Sequence, residues 1–326
     1  MKGALYGDAG TSTFCSLPAN AKVKGANEDI RMAVIGCGGR GGGHVNASLG
    51  HKNVRVAGVC DADYKRNESN ANRVASKQGS KPKIYEDYRE LCADKDIDAV
   101  MIATPNHLHS LISILAAQNG KHVYVEKPVS HNIWEGRKMV ESAQKYDRIV
   151  QHGVQLRSSP AINEAIDLLR NGYIGKVYMA RGLVFRWRAD IGDKGFSSVP
   201  DGLDYDLWTG PAPKKPFTKN LVHYNWHWHW DYGNGDVGNQ GIHETDLCMW
   251  GLDVGLPSKI TSMGGKFLWD DCKEVPEVLT SVYHYPEEKK IIQFEVRPWC
   301  TNTEDCLLYT SPSPRDLSTS RMPSSA

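Results

Sequence analysis

Between Ile30 and Gly41 the chain reads IRMAVIGCGGRG, an apolar run closed at once by glycines at positions 36, 38 and 41. Residues Ile30–Ile35 are expected to form a short buried strand. The G-x-G-x-x-G pattern behind them constrains the fold more than any other stretch. Gly36 permits a tight turn, Gly38 lets the backbone approach a pyrophosphate, and Gly41 lets a helix pack closely against the strand. A helix opened at this point aims its first amides at the phosphates, and Gly39 belongs to the same cradle. The expectation is therefore a strand, a phosphate-binding turn and a helix.

The chain then repeats that unit. Val54–Cys60 (VRVAGVC) is a second expected strand, and it ends at Asp61, twenty positions after Gly41. An acid at that spacing binds ribose hydroxyls, and its charge repels a 2′-phosphate, which favours NAD. Lys65 and Arg66 nearby keep NADP open. A helix is expected around Tyr85–Ala93, a strand at Asp98–Ala103, a helix at Asn106–Gln118, and a strand at His122–Val125. Glu135–Tyr146 is amphipathic, and Ile149–Gln155 closes the series. Strands alternating with helices imply an α/β fold whose N-terminal part is a doubly wound parallel sheet of Rossmann type. Ligands of such sheets lie beyond the carboxyl ends of the strands. Gly36–Gly41, Asp61, Thr104-Pro105-Asn106 and Glu126-Lys127-Pro128 all fall at those ends.

With the glycine loop, Asp61, TPNHLH at Thr104–His109, the Glu126-Lys127-Pro128 triplet and a G-x-H-x-x-D run at Gly241–Asp246, the chain resembles the glucose–fructose oxidoreductase and inositol dehydrogenase family over roughly residues 30–305. The resemblance implies a Rossmann domain over 30–155 and a substrate domain over 156–305 with an open, mostly antiparallel sheet. It implies that Lys127 is the active-site lysine beside the nicotinamide, and that Asn106, His109 and Glu126 line the cofactor together with Thr104. His243 becomes the catalytic histidine, with Asp246 near it. Chemically, a lysine desolvated at a strand end loses proton affinity and can exchange a proton with a hydroxyl. A surface lysine held beside Pro128 by chance is the bland alternative. In one respect the chain departs from the family, where aspartate commonly stands four residues before the histidine. Here the residue is Asn239, which binds a hydroxyl but cannot act as a base.

The segment Asn225–Asp246, NWHWHWDYGNGDVGNQGIHETD, is the densest in polar and aromatic side chains. On an extended backbone His227 and His229 would share one face and Trp226, Trp228 and Trp230 the other. The spacing offers no suitable third ligand, so an aromatic pocket wall or plain core is expected and a metal site is not. Gly238–Leu252 reads as one helix with Asn239, His243, Asp246 and Trp250 on a single face. Asn239, Asp246, Trp228 and Arg157 are the candidate substrate contacts. Ala161–Asn171 is an expected helix, Lys176–Arg188 a long strand, and Asp190–Thr218 an extended loop. Three more strands are expected between residues 258 and 299.

The 326 residues carry a net charge of only +1, so no global field points to nucleic acid or a membrane surface. No apolar run reaches membrane-spanning length. The eight cysteines include no C-x-x-C pair and read as free thiols. Residues 1–29 are expected to be a tail or the remnant of an export signal, with Ala19-Asn20-Ala21 resembling a signal-peptidase site. The localisation thus stays open between cytoplasm and export. Residues 306–316 and 320–326 (CLLYTSPSPRD and SRMPSSA) resemble translated sequencing-adaptor DNA, so 306–326 is expected to be a non-native tail on a truncated substrate domain. The functional expectation is hydride transfer between a sugar or polyol carbon and NAD, with a small carbohydrate as partner and a homo-oligomer for the full-length protein. A redox-neutral glycoside-cleaving enzyme and a non-catalytic cofactor-binding protein are the alternatives.

Overall fold

The computed structural model describes residues 29–297. The expected export-signal remnant and the non-native tail lie outside the described residues, apart from Asp29. In the first half β1 (Ile30–Ile35), α1 (Gly39–Leu49), β2 (Val54–Cys60), α2 (Tyr64–Gln78), β3 (Lys83–Tyr85), α3 (Tyr88–Ala93), β4 (Ala99–Ile102), α4 (Asn106–Gln118), β5 (His122–Glu126), α5 (Ile133–Lys145) and β6 (Val150–Gly153) alternate along the chain. All pairings are parallel, in the order β3-β2-β1-β4-β5-β6. The order reverses between β1 and β4, and a crevice opens there at the carboxyl ends of the strands. Successive residues of β1 serve opposite faces: Ile35 packs with Ile102, Ile112 and Val125, and Val34 with Val45, Val56 and Val74. The helix expected around Tyr85 begins only at Tyr88. Asp87 accepts a hydrogen bond from the Arg89 amide at 2.7 Å and caps it, which leaves Tyr85 in β3.

The second half holds α6 (Pro160–Arg170), β7 (Met179–Phe185), α7 (Tyr205–Thr209), α8 (Gly235–Asn239), α9 (Gly241–Leu252), β8 (Lys259–Gly265), β9 (Val278–Tyr285) and β10 (Lys290–Arg297). Its sheet runs β7-β10-β9-β8, antiparallel at β8/β9 and β9/β10 and parallel at β7/β10. Cys248 and Leu252 of α9 pack on Tyr285 and Ile292 of that sheet.

Between β7 and α8 lies a long segment that includes Asp190–Thr218, the stretch expected to be an extended loop. It has a core of its own, built from Leu203, Tyr205, Trp208, Phe217, Leu221, Trp226 and Tyr232. It also reaches the first domain. Tyr64 donates its amide to Gly202 at 2.9 Å, Asp204 donates to Ala62 at 2.8 Å, and the His107 ring meets the Trp208 carbonyl at 3.0 Å. The segment therefore roofs the strand ends where the crevice opens.

Within the roof the run Asn225–Trp228 is a 3-10 turn, not an extended strand. Its amides bond backward along the chain, Trp226 to Leu221 at 2.9 Å and His229 to Trp226 at 3.2 Å, so no ladder partner holds it straight. The expected division into a histidine face and a tryptophan face is lost with the extended backbone. The expected single helix over 238–252 is likewise two, broken at Gln240. A Cβ on Gly241 would lie 2.4 Å from the Phe294 ring, so the chain is glycine where α9 starts against β10.

Candidate active site

A cavity of about 370 Å³ lies in the crevice between the two halves. Its floor is the glycine loop. Gly36 has φ +87°, and a Cβ there would sit 2.6 Å from the Ala103 carbonyl carbon. A Cβ on Gly41 would lie 1.7 Å from the Gly36 oxygen, so only glycine allows α1 to start this close to β1. Gly39 has open space around it and is not required sterically. No acidic residue occupies the first turn of α1 and no side chain caps it, which leaves the positive end of the helix to an anion. The Asp61 carboxylate lines the cavity and accepts the amides of Cys37 at 2.6 Å and Asp63 at 2.8 Å. Asp63 is the residue that caps α2, accepting from the Lys65 amide at 3.0 Å. Burial raises the pKa of Asp61, and the backbone amides offset part of that. A buried Thr104 hydroxyl without a partner among the described residues stands on the same wall. Turn, free helix end, ribose-distance acid and unpaired hydroxyl together fit a dinucleotide.

Lys127 enters at the end of β5. Its ammonium donates to the Asn239 carbonyl and, at 3.2 Å, to Asn239 Oδ1. In a continuous helix that carbonyl would accept the His243 amide. The break at Gln240 turns the His243 amide to the Gln240 oxygen at 3.0 Å and releases the Asn239 carbonyl to the lysine. Burial lowers the pKa of Lys127. The neighbouring Glu126 supports the lysine from behind, accepting from Arg40 at 2.7 Å and His44 at 2.9 Å. Burial alone would raise the Glu126 pKa, but these partners outweigh it and hold the carboxyl at about 2. Arg40 and His44 carry no motif that marks them in the chain, although both lie in the first turns of the helix that the glycine loop opens.

His109 is fully enclosed between the Pro128 carbonyl (2.7 Å) and the Thr104 carbonyl (2.8 Å). A neutral ring donates to one of them, and burial keeps its pKa low. Asn106 donates to Asn234 Oδ1 at 2.9 Å and so ties α4 to the turn before α8. Both side chains position the two strand ends as well as lining the cavity.

Other expected residues lie elsewhere. His243 is buried behind the cavity, with Nδ1 lacking a partner among the described residues. Burial first, then the Lys127 charge, lowers its pKa. Asp246 does not orient it, because Arg157 takes that carboxylate in a forked pair at 2.7 and 2.9 Å and lies over the Trp250 ring. Asp246 and Arg157 thus satisfy each other outside the cavity lining, which corrects their reading as direct substrate contacts. Trp228 is corrected too: it is 4% exposed and packs beneath the Arg188 guanidinium, 5.1 Å away. The aromatic residues on the cavity wall are instead Tyr88, Trp208, Tyr224 and Trp226, joined by His227. His229 points away toward Glu274 at 3.6 Å, and among the described residues no group of three His, Cys, Asp or Glu side chains is arranged to hold a metal.

Fold and cavity define a two-domain α/β protein with a dinucleotide crevice and a half-buried lysine at its lip. Residues 30–154 match the family model described as an oxidoreductase family with NAD-binding Rossmann fold, and residues 165–289 match that of the same family's C-terminal alpha/beta domain. The chain belongs to this NAD-binding oxidoreductase family. It is 33% identical over 150 residues to a "Glycosyl hydrolase family 109 protein" of Streptomyces niveus, covering 45% of this chain and 30% of the relative. It is 32% identical over 165 residues to the inositol 2-dehydrogenase of Rubrobacter xylanophilus, covering 49% and 45%. The chain thus spans less than half the length of these curated relatives. Among solved structures, a dehydrogenase of Chromobacterium violaceum in complex with NADH and UDP-GlcNAcA superposes with a TM-score of 0.65 at 21% identity, over 84% of this chain and 68% of that one, and shares the fold.

Proposed function

We propose that the protein oxidises a hydroxyl-bearing carbon of a sugar or polyol with NAD. The observation that carries the proposal is the Lys127 ammonium, desolvated at the end of β5 and held on Asn239 at the lip of the dinucleotide cavity. Backbone amides of Gly36–Gly41, the Asp61 carboxylate and Asn106 would hold the cofactor, whose nicotinamide supplies the hydride acceptor when bound. Lys127 orients the substrate hydroxyl and, in the neutral amine form that its lowered pKa makes more accessible, takes its proton as the carbon is oxidised. Its lowered pKa brings that exchange nearer neutral pH. Asn239 fixes the ammonium through two oxygens, and His243, whose Nδ1 has no partner among the described residues, is the second catalytic group of this reading.

A redox-neutral, glycoside-cleaving reaction is the second reading. It is favoured by Asn239, which cannot act as a base, and by the likeness to the glycosyl hydrolase family 109 protein. Incubation with NAD and a panel of myo-inositol, free sugars and aryl glycosides separates the two. Reduced cofactor accumulating in step with product supports the dehydrogenase. Cleaved glycoside without reduced cofactor rejects it for the second reading, and strict absence of both rejects each.

A further inference from the structure

We propose that His227 is a substrate-recognition residue, whose Nε2 accepts the hydrogen of a second hydroxyl on the molecule that Lys127 addresses, so that the site selects molecules with more than one free hydroxyl. Only the role of Lys127 is taken from the proposed function. His227 lines the same cavity as Lys127 and Asn239 but arrives from the 3-10 turn of the roof. Its Nδ1 lies 2.5 Å from the Tyr224 carbonyl, which can only accept, so Nδ1 carries the ring hydrogen. Nε2 is then a bare lone pair, and among the described residues no group hydrogen-bonds to it.

The ring is also held in place. It stacks on Trp226 with centroids 3.6 Å apart and planes 20° off parallel, and it sits 4.6 Å from the Tyr224 ring. Gly233 closes on its backbone so tightly that a Cβ would lie 2.6 Å from the His227 Cα. Burial, followed by the Lys127 and Arg188 charges, brings the His227 pKa down to about 4, so the ring is neutral at physiological pH. The cavity therefore presents a cationic donor on one wall and a neutral acceptor on another. A hydroxyl both gives and takes hydrogen bonds, and a molecule with two free hydroxyls satisfies both walls at once. The half-exposed Tyr224 ring on the same wall suits the C–H face of a sugar or cyclitol. An ammonium ligand would meet Lys127 as a like charge, and a carboxylate would face the lone pair of Nε2, so a neutral polyol is the ligand class that fits.

Binding is measured without turnover, on the full chain loaded with NADH, by saturation-transfer NMR with myo-inositol and cyclohexanol. The expected order is myo-inositol bound, with cyclohexanol, which has a single hydroxyl, weaker. His227→Phe, which keeps the stack and removes the acceptor, should weaken myo-inositol about tenfold, the scale of one lost hydrogen bond. His227→Gln, with an oxygen near the Nε2 position, should recover part of the loss. NADH affinity, read by fluorescence, should stay within about twofold in both variants, since both leave the glycine loop and Asp61 unaltered. The ¹⁵N signal of His227 Nε2 should shift on adding myo-inositol. Equal binding of myo-inositol to wild type and His227→Phe, no preference for myo-inositol over cyclohexanol, or no polyol binding at all would overturn the proposal. Polyol binding that needs His227, without NADH formation in the turnover assay, would reject the oxidoreductase reading and leave this one standing.

Discussion

At the residue scale the site depends on what surrounds one lysine. Burial lowers the Lys127 pKa, while Asn239 offers the ammonium two oxygens. Lys127→Met should reduce kcat/KM by about 10²–10⁴, the range for losing a proton-transfer group, with NADH affinity nearly unchanged. The pH–rate profile of the wild type should rise through a pKa below that of an ordinary lysine, and this limb should vanish in Lys127→Met. Asn239→Asp places a carboxylate beside the ammonium. An opposite charge favours the protonated lysine, so the limb should move to higher pH, and an unmoved profile would mean that Lys127 is not the titrating group. Lys127 and Asn239 are legible in the chain because a family triplet and a family departure mark them. Trp228 is not, since composition says that an aromatic side chain is near a site but not which way it faces.

At the element scale, the break between α8 and α9 is what hands the Asn239 carbonyl to Lys127. Hydropathy and polarity run continuously through Gly238–Leu252, so periodicity alone joins the two helices. A strand more than forty positions away bears on the same place, where Phe294 of β10 fills the space in front of Gly241. Gly241→Ala should therefore cost about 1–3 kcal/mol through overpacking, read as a lower urea midpoint with an unchanged slope. The same logic explains the turn at Asn225–Trp228. Alternating polar and aromatic residues predict a strand only when a neighbouring strand is there to pair with, and this run bonds to itself.

At the scale of the whole molecule, the roof over the crevice and the network around Glu126 join separate parts of the chain. Glu126 has a folded pKa of about 2 against an ordinary 4.5, so it binds fewer protons in the folded state. Its contribution is present above pH 4.5 and is lost as pH falls toward 2, and it amounts to about 3 kcal/mol. Denaturant melts between pH 5 and pH 2.5 should show this loss, and Glu126→Gln should flatten it. An equally steep acid limb in the variant would assign the effect to other carboxylates.

The parallel sheet, the glycine cradle, Asp61 and the lysine at the end of β5 were determined by the sequence itself. Each is a local signal, a run of apolar residues closed by a residue type that one backbone geometry or one ligand group demands. Tertiary structure alone decided the rest: that Arg157 claims Asp246, that Trp228 lies beneath Arg188, and that His227 turns into the cavity while His229 turns out. Those outcomes depend on which distant partner reaches a side chain first. Contacts between residues tens of positions apart are fixed by packing, and the spacing of residues along the chain carries no record of them.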